Sequence, residues 1–440
     1  MTQLQKTLKL SSVVMFGLAY MTPIIVLGTY GILADATHGV TAGAYVLALI
    51  AMVFTAWSYG LMAAEFPTNG SAYIYVRKSI NAHFGFMIGW AVLLDYLFLP
   101  MVIWLFGAVY LSSAFPAIPM WVWILAFIVI TTVINTFGIK VANKFNYIMM
   151  AVQILVLIAF IGLSIHYVVG DTTKSLFDLK PFYQSEVQIS FITAGAAIAC
   201  YSFLGFDAVT TLSEETINAK KTIPRAILLI AILGGGIFIV TSYFVQLAHP
   251  GFAFKSVDAG ANEIAKNIGG DIFVSIFLIG LIVGQFASGL AAQASASRLL
   301  YAMGRDGVLP KIIFAKLHSS FLTPIYSIIF CALMALLALF MDVTTSVSFI
   351  NFGAFLAFAS VNLAVIFRFY ASNKNRSTSM YFGYLFAPAL GIIADIWLLI
   401  NLDSKAITLG AIWLALGFLY LAFLTNGFKK NPPEMDFVEV

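Results

Sequence analysis

Apolar stretches long enough to cross a lipid bilayer recur from one end of this chain to the other. No other feature constrains the fold as hard. Inside hydrocarbon every backbone N–H and C=O must find its partner within the protein, which leaves helix bundles and closed β-barrels. Barrel strands alternate apolar and polar residues. These stretches do not alternate, and they run to about 20 residues, the length of one helical crossing. Composition agrees: 61% of the 440 residues are hydrophobic and 10% charged, against about 45–50% and about 25% in soluble domains. Mean hydropathy is +0.98. The pattern is that of an all-α integral membrane protein and excludes an ordinary soluble enzyme, a disordered chain and a nucleic-acid binder.

The runs predict twelve spans, near residues 12–33, 41–64, 84–111, 119–138, 145–168, 190–213, 224–248, 271–302, 323–341, 344–368, 380–401 and 405–426. These limits put 18 of the 23 Lys and Arg residues on one side and 5 (Lys174, Lys180, Lys255, Lys266 and Lys405) on the other. Positive charge is retained in the cytoplasm, so both termini are expected there. The longer outside loops are 169–189 and 249–270, and the main inside loops 65–83 and 303–322. The polar tail Lys429–Val440, with its Pro432-Pro433 pair, is expected to lack fixed structure. The first apolar run has no small-residue cleavage site and leads straight into further spans, so no cleavable signal is expected. Cys200 and Cys331 fall inside apolar runs and read as small core residues. The five histidines have no ligand spacing, so neither a metal site nor a cofactor is expected.

Polar groups are informative where they are expensive. Asp95, Asp207 and Asp395 lie inside spans, where a carboxylate must be hydrated, paired or protonated and is a functional candidate by default. For each the alternative is a carboxylate hydrogen-bonded to a neighbouring helix, and Asp395, near one end of its span, could reach water. Two spans read as interrupted. The first carries Tyr20-Met21-Thr22-Pro23 near its midpoint, and proline has no N–H and clashes with the preceding turn. The sixth carries Tyr201-Ser202-Phe203-Leu204-Gly205-Phe206-Asp207, where Gly205 permits unwinding. Paired interruptions at matching positions of oppositely directed helices mark the binding site of an inverted-repeat transporter. Tyr20 and Tyr201 adjoin the breaks, and an aromatic face beside a carboxylate suits an organic cation. Gln285, mid-way along the eighth span, is either a neutral group of the same cavity or an interhelical hydrogen bond.

Two cytoplasmic loops carry a resemblance. AAEFPTNGSAYIYVRKSI (Ala63–Ile80) is similar to the E-x-x-P-x-x-G-(S/G)-x-Y-x-Y pattern of the amino acid–polyamine–organocation superfamily, and SRLLYAMGRDGVLPKIIFAKLHSSFLTP (Ser297–Pro324) to its R-x-x-x-x-M-x-R-D-G-x-x-P…TP segment. SFLGFDAVTTLSEET (Ser202–Thr216), GFMIGWAVLLDYLFLPM (Gly85–Met101) and GLAYMTPIIV (Gly17–Val26) resemble its bacterial putrescine importers. The resemblance implies a LeuT-like five-plus-five inverted repeat: residues 1–168, then 169–370, with two further helices over 371–428 and a tail over 429–440. It also implies the inner (plasma) membrane of a bacterium.

Site residues carry across motif by motif. Where amino acid permeases have G-S-G, whose free N–H groups bind a substrate carboxylate, this chain has Met21-Thr22-Pro23, and Pro23 has no N–H to give. Tyr201 and Asp207 occupy the places of a gating aromatic and an ammonium-binding acid. The expected substrate set is Tyr20, Met21, Thr22, Pro23, Asp95, Tyr96, Tyr201, Ser202, Phe203, Gly205, Asp207 and Gln285, with Asp95 taking a second ammonium. Some proton-coupled relatives place a Lys where Gln153 is expected here. Coupling would then fall to Asp207 or Asp95, whose burial raises a carboxyl into a useful range. Glu214 and Glu215 form either an inner gate with Lys220, Lys221 or Arg225, or a solvated loop.

The leading function is secondary-active import of a small organic cation, putrescine or a related polyamine, by alternating access with proton coupling. The alternative is an amino acid permease or exchanger of the same fold, which would need the N–H groups of Met21 and Thr22 to suffice for a carboxylate. A membrane enzyme lacks a nucleophile–base pair or metal cluster, and no signalling domain points to a sensor.

Overall fold

A computed structural model describes residues 7–67, 71–137, 142–318, 321, 323–371 and 378–434. The side chains of residues 142–147, 211, 214, 215, 378 and 379 lie outside that description. The described chain is helical, and its one β-type contact is an isolated parallel bridge between Leu8 and Thr216. Crossing helices are numbered here in chain order: α1 (Leu10–Met21), α2 (Thr41–Glu65), α3 (Ala82–Ala114), α4 (Met120–Phe137), α5 (Ala142–Gly170), α6 (Ile189–Ala199), α7 (Ala219–Ala248), α8 (Gly260–Arg305), α9 (Ile325–Ala335), α10 (Val343–Val365), α11 (Ala387–Ile400) and α12 (Ser404–Leu424).

Among the described residues eleven helical stretches are long and apolar enough to cross a membrane. The twelfth expected span, the ninth in order, is shorter: α9 runs on only as a 3-10 turn to Leu339. Local chemistry starts several helices. Asn81 accepts from the Phe84 N–H at 2.8 Å, Asp342 from the Thr345 N–H at 2.7 Å, and Asp403 from the Lys405 and Ala406 N–H groups. Such caps are each worth about 1 kcal/mol.

Burial is uneven along the chain. Trp104, Tyr110 and Phe106 of α3 are fully enclosed, whereas α12 presents Leu416, Phe418, Leu419 and Phe423 outward. α3 and α10 therefore form the inner wall, with α4, α5, α11 and α12 toward the rim. Small residues let the inner helices approach: Gly353 of α10 faces the Ala91 backbone of α3, and Gly60 of α2 faces Pro224 of α7.

Two loop expectations are corrected. The stretch taken as an outside loop, 249–270, is helical from Val257 onward, and the kink at Gly270 (φ 69°) joins its helix to the rest of α8. That outer helix packs closely on the first span, since a Cβ on Gly31 would lie 2.1 Å from the Val257 carbonyl oxygen. The tail is not loose over Lys429–Glu434. Arg77 donates to the Pro432 and Pro433 carbonyls at 3.4 and 3.3 Å and lies 3.8 Å from Glu434, and the His83 ring meets the Lys430 carbonyl at 3.2 Å. The sequence signal missed was on the receiving side, in Arg77 and His83 at the first inside loop. Met435–Val440 lie outside the described residues.

Candidate functional site

Both expected interruptions are present. α1 stops at Met21; Thr22 takes a left-handed conformation (φ 51°, ψ 78°), and helix resumes over Ile25–Gly28 and Tyr30–Ala36. Pro23 offers no N–H. The Thr22 N–H donates to the Ala19 carbonyl at 3.2 Å, and Met21 ends the helical ladder. The two backbone donors that a carboxylate would need are thus already engaged.

The sixth span breaks differently. α6 passes into a 3-10 turn, Cys200–Phe203, and a second 3-10 segment runs from Ala208 to Glu215. Between them Gly205 has φ +99°, which an L side chain rarely adopts. A Cβ there would sit 2.0 Å from Cδ1 of Tyr20. The ring of the first break therefore lies against the backbone of the second, so the two breaks form one site.

Acids and aromatics converge on that site. Asp207 is half-buried and accepts a hydrogen bond from Tyr59 of α2. Asp95 of α3 is also half-buried, feels the charge of Asp207, and interacts with Tyr201. Its Oδ1 is enclosed and has no hydrogen-bond partner among the described residues. Tyr201 stacks on Phe106 of α3, centroids 5.7 Å apart. Tyr96 interacts with Tyr59. The arrangement is two carboxylates lined by aromatic faces, and among the described residues no Lys or Arg interacts with either acid. Chemically it suits a ligand with two positive ends and an apolar middle.

Other expected residues are placed elsewhere. The Met21 methyl points into α7, where a Cβ on Gly234 would be 2.6 Å from it. Phe203 is enclosed with its ring edge-on to Phe238 of α7. Ser202 is bonded to the Tyr45 hydroxyl at 3.1 Å, and Tyr45 reaches Thr29 at 3.4 Å, so these form a tie between spans. Gln285 is buried beside Gly28 with its Nε2 unpartnered among the described residues, and Gln153 lies against Gly284. The side chains of Glu214 and Glu215 lie outside the described residues, and Lys220, Lys221 and Arg225 are exposed. Asp395 is corrected: it does not reach water but is fully buried, accepting from Thr55 at 3.1 Å and from Asn362 at 2.9 Å.

The sequence reading passed over Tyr59, Phe106 and an ion pair, Arg368 to Glu65 at 2.5 Å, with Phe66 under the guanidinium at 5.6 Å. Tyr59 is a hydroxyl inside the second span, six residues from its end at Glu65, a signal as legible as Gln285. Phe106 is one apolar ring among many and gave none. Glu65 and Arg368 each sit at a span end, where a charge is ordinary.

Two interrupted helices touching at a pair of intramembrane acids define a polytopic membrane transporter, and the chain belongs to the amino acid permease family, whose sequence profile matches residues 12–423. Among its relatives is the low-affinity putrescine importer PlaP of Escherichia coli K12, 41% identical over 437 residues, covering 99% of this chain and 97% of that one. The branched-chain amino acid permease BcaP of Bacillus subtilis is 27% identical over 439 residues, covering 92% and 91%. The methylthioribose transporter of the same organism is 27% identical, covering 85% and 83%.

Proposed function

We propose that this protein imports putrescine or a closely related polyamine across the inner membrane of a bacterium. One observation carries the reading: Asp207 and Asp95, interacting acids lined by Tyr201 and Phe106, with the backbone donors of the neighbouring break already used. A diamine puts an ammonium on each acid and its methylenes on the rings. An amino acid would bring a carboxylate to a break where Pro23 has no N–H and Thr22's is engaged. The 41% likeness to a putrescine importer points the same way, and the 27% likeness to a branched-chain permease is too remote to outweigh the donor argument.

The mechanism in this reading is alternating access, with the broken first and sixth spans moving against a scaffold of inverted repeats, 1–168 and 169–370. The 18-to-5 charge split puts both termini in the cytoplasm. Arg368 and Glu65, whose spans end on that side, then form an inner latch. The membrane potential alone contributes about 2.3 kcal/mol per charge per 100 mV to uptake of a cation, so a doubly charged diamine gains about twice that. Proton coupling adds to this drive.

The test is a ligand panel on the purified protein. A ligand that binds only the folded state raises the melting temperature by mass action. Putrescine and cadaverine should raise it, and ornithine and neutral amino acids should not. In proteoliposomes, Asp207→Asn should lower putrescine uptake by roughly 30-fold or more, the cost of truncating one partner of a desolvated charge pair, with the melting temperature in the absence of ligand kept. A shift with amino acids alone would replace this reading with that of an amino acid permease.

A further inference from the structure

We propose that Asp395 is a proton-carrying site, set apart from the diamine pocket and linked to it through one face of α2. The proposal rests on the import reading above and adds to it where the transported proton resides.

The charge count sets the problem. A bound diamine neutralises Asp207 and Asp95 with its two ammonium groups, so neither acid holds a proton while the substrate is aboard. A proton that travels in the same cycle needs a third group. Asp395 is a mid-helix carboxylate of α11 with no exposed surface, and its hydrogen-bond partners among the described residues are both neutral, Thr55 of α2 and Asn362 of α10.

The surroundings fit both protonation states. For the carboxylate there are two donors, the Thr55 hydroxyl at 3.1 Å and the Asn362 amide at 2.9 Å. For the carboxylic acid, whose O–H needs an acceptor, there are the Thr55 oxygen and, once the Asn362 amide turns over, its Oδ1. That Oδ1 is enclosed and has no partner among the described residues. Sodium is disfavoured by the same geometry: the amide turns its nitrogen, not its oxygen, toward the carboxylate, and hard cations need a shell of oxygen ligands.

The remaining groups facing Asp395 are neutral at pH 7 by type. Tyr59 of α2 and Cys200 at the end of α6 both interact with it. From the turn Phe382–Phe386 that leads into α11, Tyr384 stacks on Phe369 instead. Tyr59 supplies the link. It donates to Asp207 and feels Asp395, while Thr55, four residues earlier on α2, holds Asp395. Residues four apart share a helix face about 6 Å from each other. One turn of α2 therefore connects the acid that meets the substrate with the acid that stores the proton. On release, in a conformation of the transport cycle that admits water to Asp395, the O–H bond breaks, its electron pair stays on the carboxylate, and the proton passes to that water.

The experiment uses full-length protein in proteoliposomes loaded with a pH dye, radiolabelled putrescine outside, and an imposed potassium diffusion potential. Wild type should acidify the lumen as putrescine enters. Asp395→Asn should still take up putrescine down the electrical gradient and keep its thermal shift with putrescine, but without acidification and without pH dependence of uptake. Should that variant not fold, Thr55→Val, which removes one donor, should displace the pH midpoint of uptake. Acidification unchanged in Asp395→Asn, a pH midpoint unmoved in Thr55→Val, or wild-type uptake without protons would each overturn the proposal. Absence of putrescine uptake by wild type would overturn the import reading instead, and this inference with it.

Discussion

The first and sixth spans break at corresponding places by opposite means. In the first, covalent chemistry does it: Pro23 cannot continue the ladder, and Thr22 just before it sits at φ 51°. In the sixth, Gly205 only permits the bend, and contact decides, because the Tyr20 ring occupies the space a side chain would need. One break is written into the chain and the other is made by its partner. A site with one fixed and one adaptable half has a natural place for motion, in the sixth span.

If that contrast is right, the adaptable half is the more fragile. Gly205→Ala places a Cβ 2.0 Å from the Tyr20 ring at a backbone angle L residues avoid. The left-handed angle costs about 1–2 kcal/mol and overpacking about 1–3 more. The melting temperature should fall and putrescine uptake should drop to background. An unimpaired Gly205→Ala would mean that the ring yields and that the breaks are independent. A second test separates the two acids. Asp95→Asn removes one ammonium partner, so affinity for putrescine should fall about tenfold, or about 1.4 kcal/mol. Affinity for a butyl monoamine seated on Asp207 should not change. Equal loss for both amines would mean that Asp95 acts through Asp207 and does not meet the substrate.

The contrast also explains what could be read from the sequence. Crossings were legible because hydrocarbon imposes a run length, and the first break because proline's geometry is local. Tyr20, Tyr201, Gly205 and Asp207 were singled out because they adjoin a local signal. Met21 and Phe203 were assigned to the site although they face Gly234 and Phe238 of α7: proximity along the chain says nothing about which way a side chain turns. Tyr59 and Phe106 come from distant helices, so only packing reveals them. Asp395 was misplaced for a related reason. Its position along the span suggested water, but burial is set by α2 and α10 lying over it, and Thr55 and Asn362 give no sequence sign that they will meet.

Pro23→Gly sharpens the fixed half. It returns an N–H to the break, the donor a carboxylate would use. A hydrogen bond to a charged group is worth about 1.5–3 kcal/mol, and added flexibility takes back about 0.5–1. Ornithine should therefore begin to compete with putrescine, improving by roughly tenfold in a thermal-shift titration, while putrescine itself changes little. No gain for ornithine would show that the selectivity against carboxylates lies in the acids and not in the missing N–H.

The smallest effect is expected at Thr22, and its sign carries the information. Threonine is β-branched and sits at a left-handed angle, a conformation that costs an L residue about 1–2 kcal/mol. Its hydroxyl recovers little, because its contacts to the Ala19 and Tyr20 carbonyls are long, 3.5 and 3.4 Å. Thr22→Gly removes that strain but loosens the unfolded chain by about 0.5–1 kcal/mol. The balance should favour the glycine variant by less than about 1 kcal/mol, read as a slightly higher melting temperature with uptake retained. A clear loss of stability would mean that Thr22 holds the break through its side chain, and the first interruption would then depend on contacts as much as the sixth does.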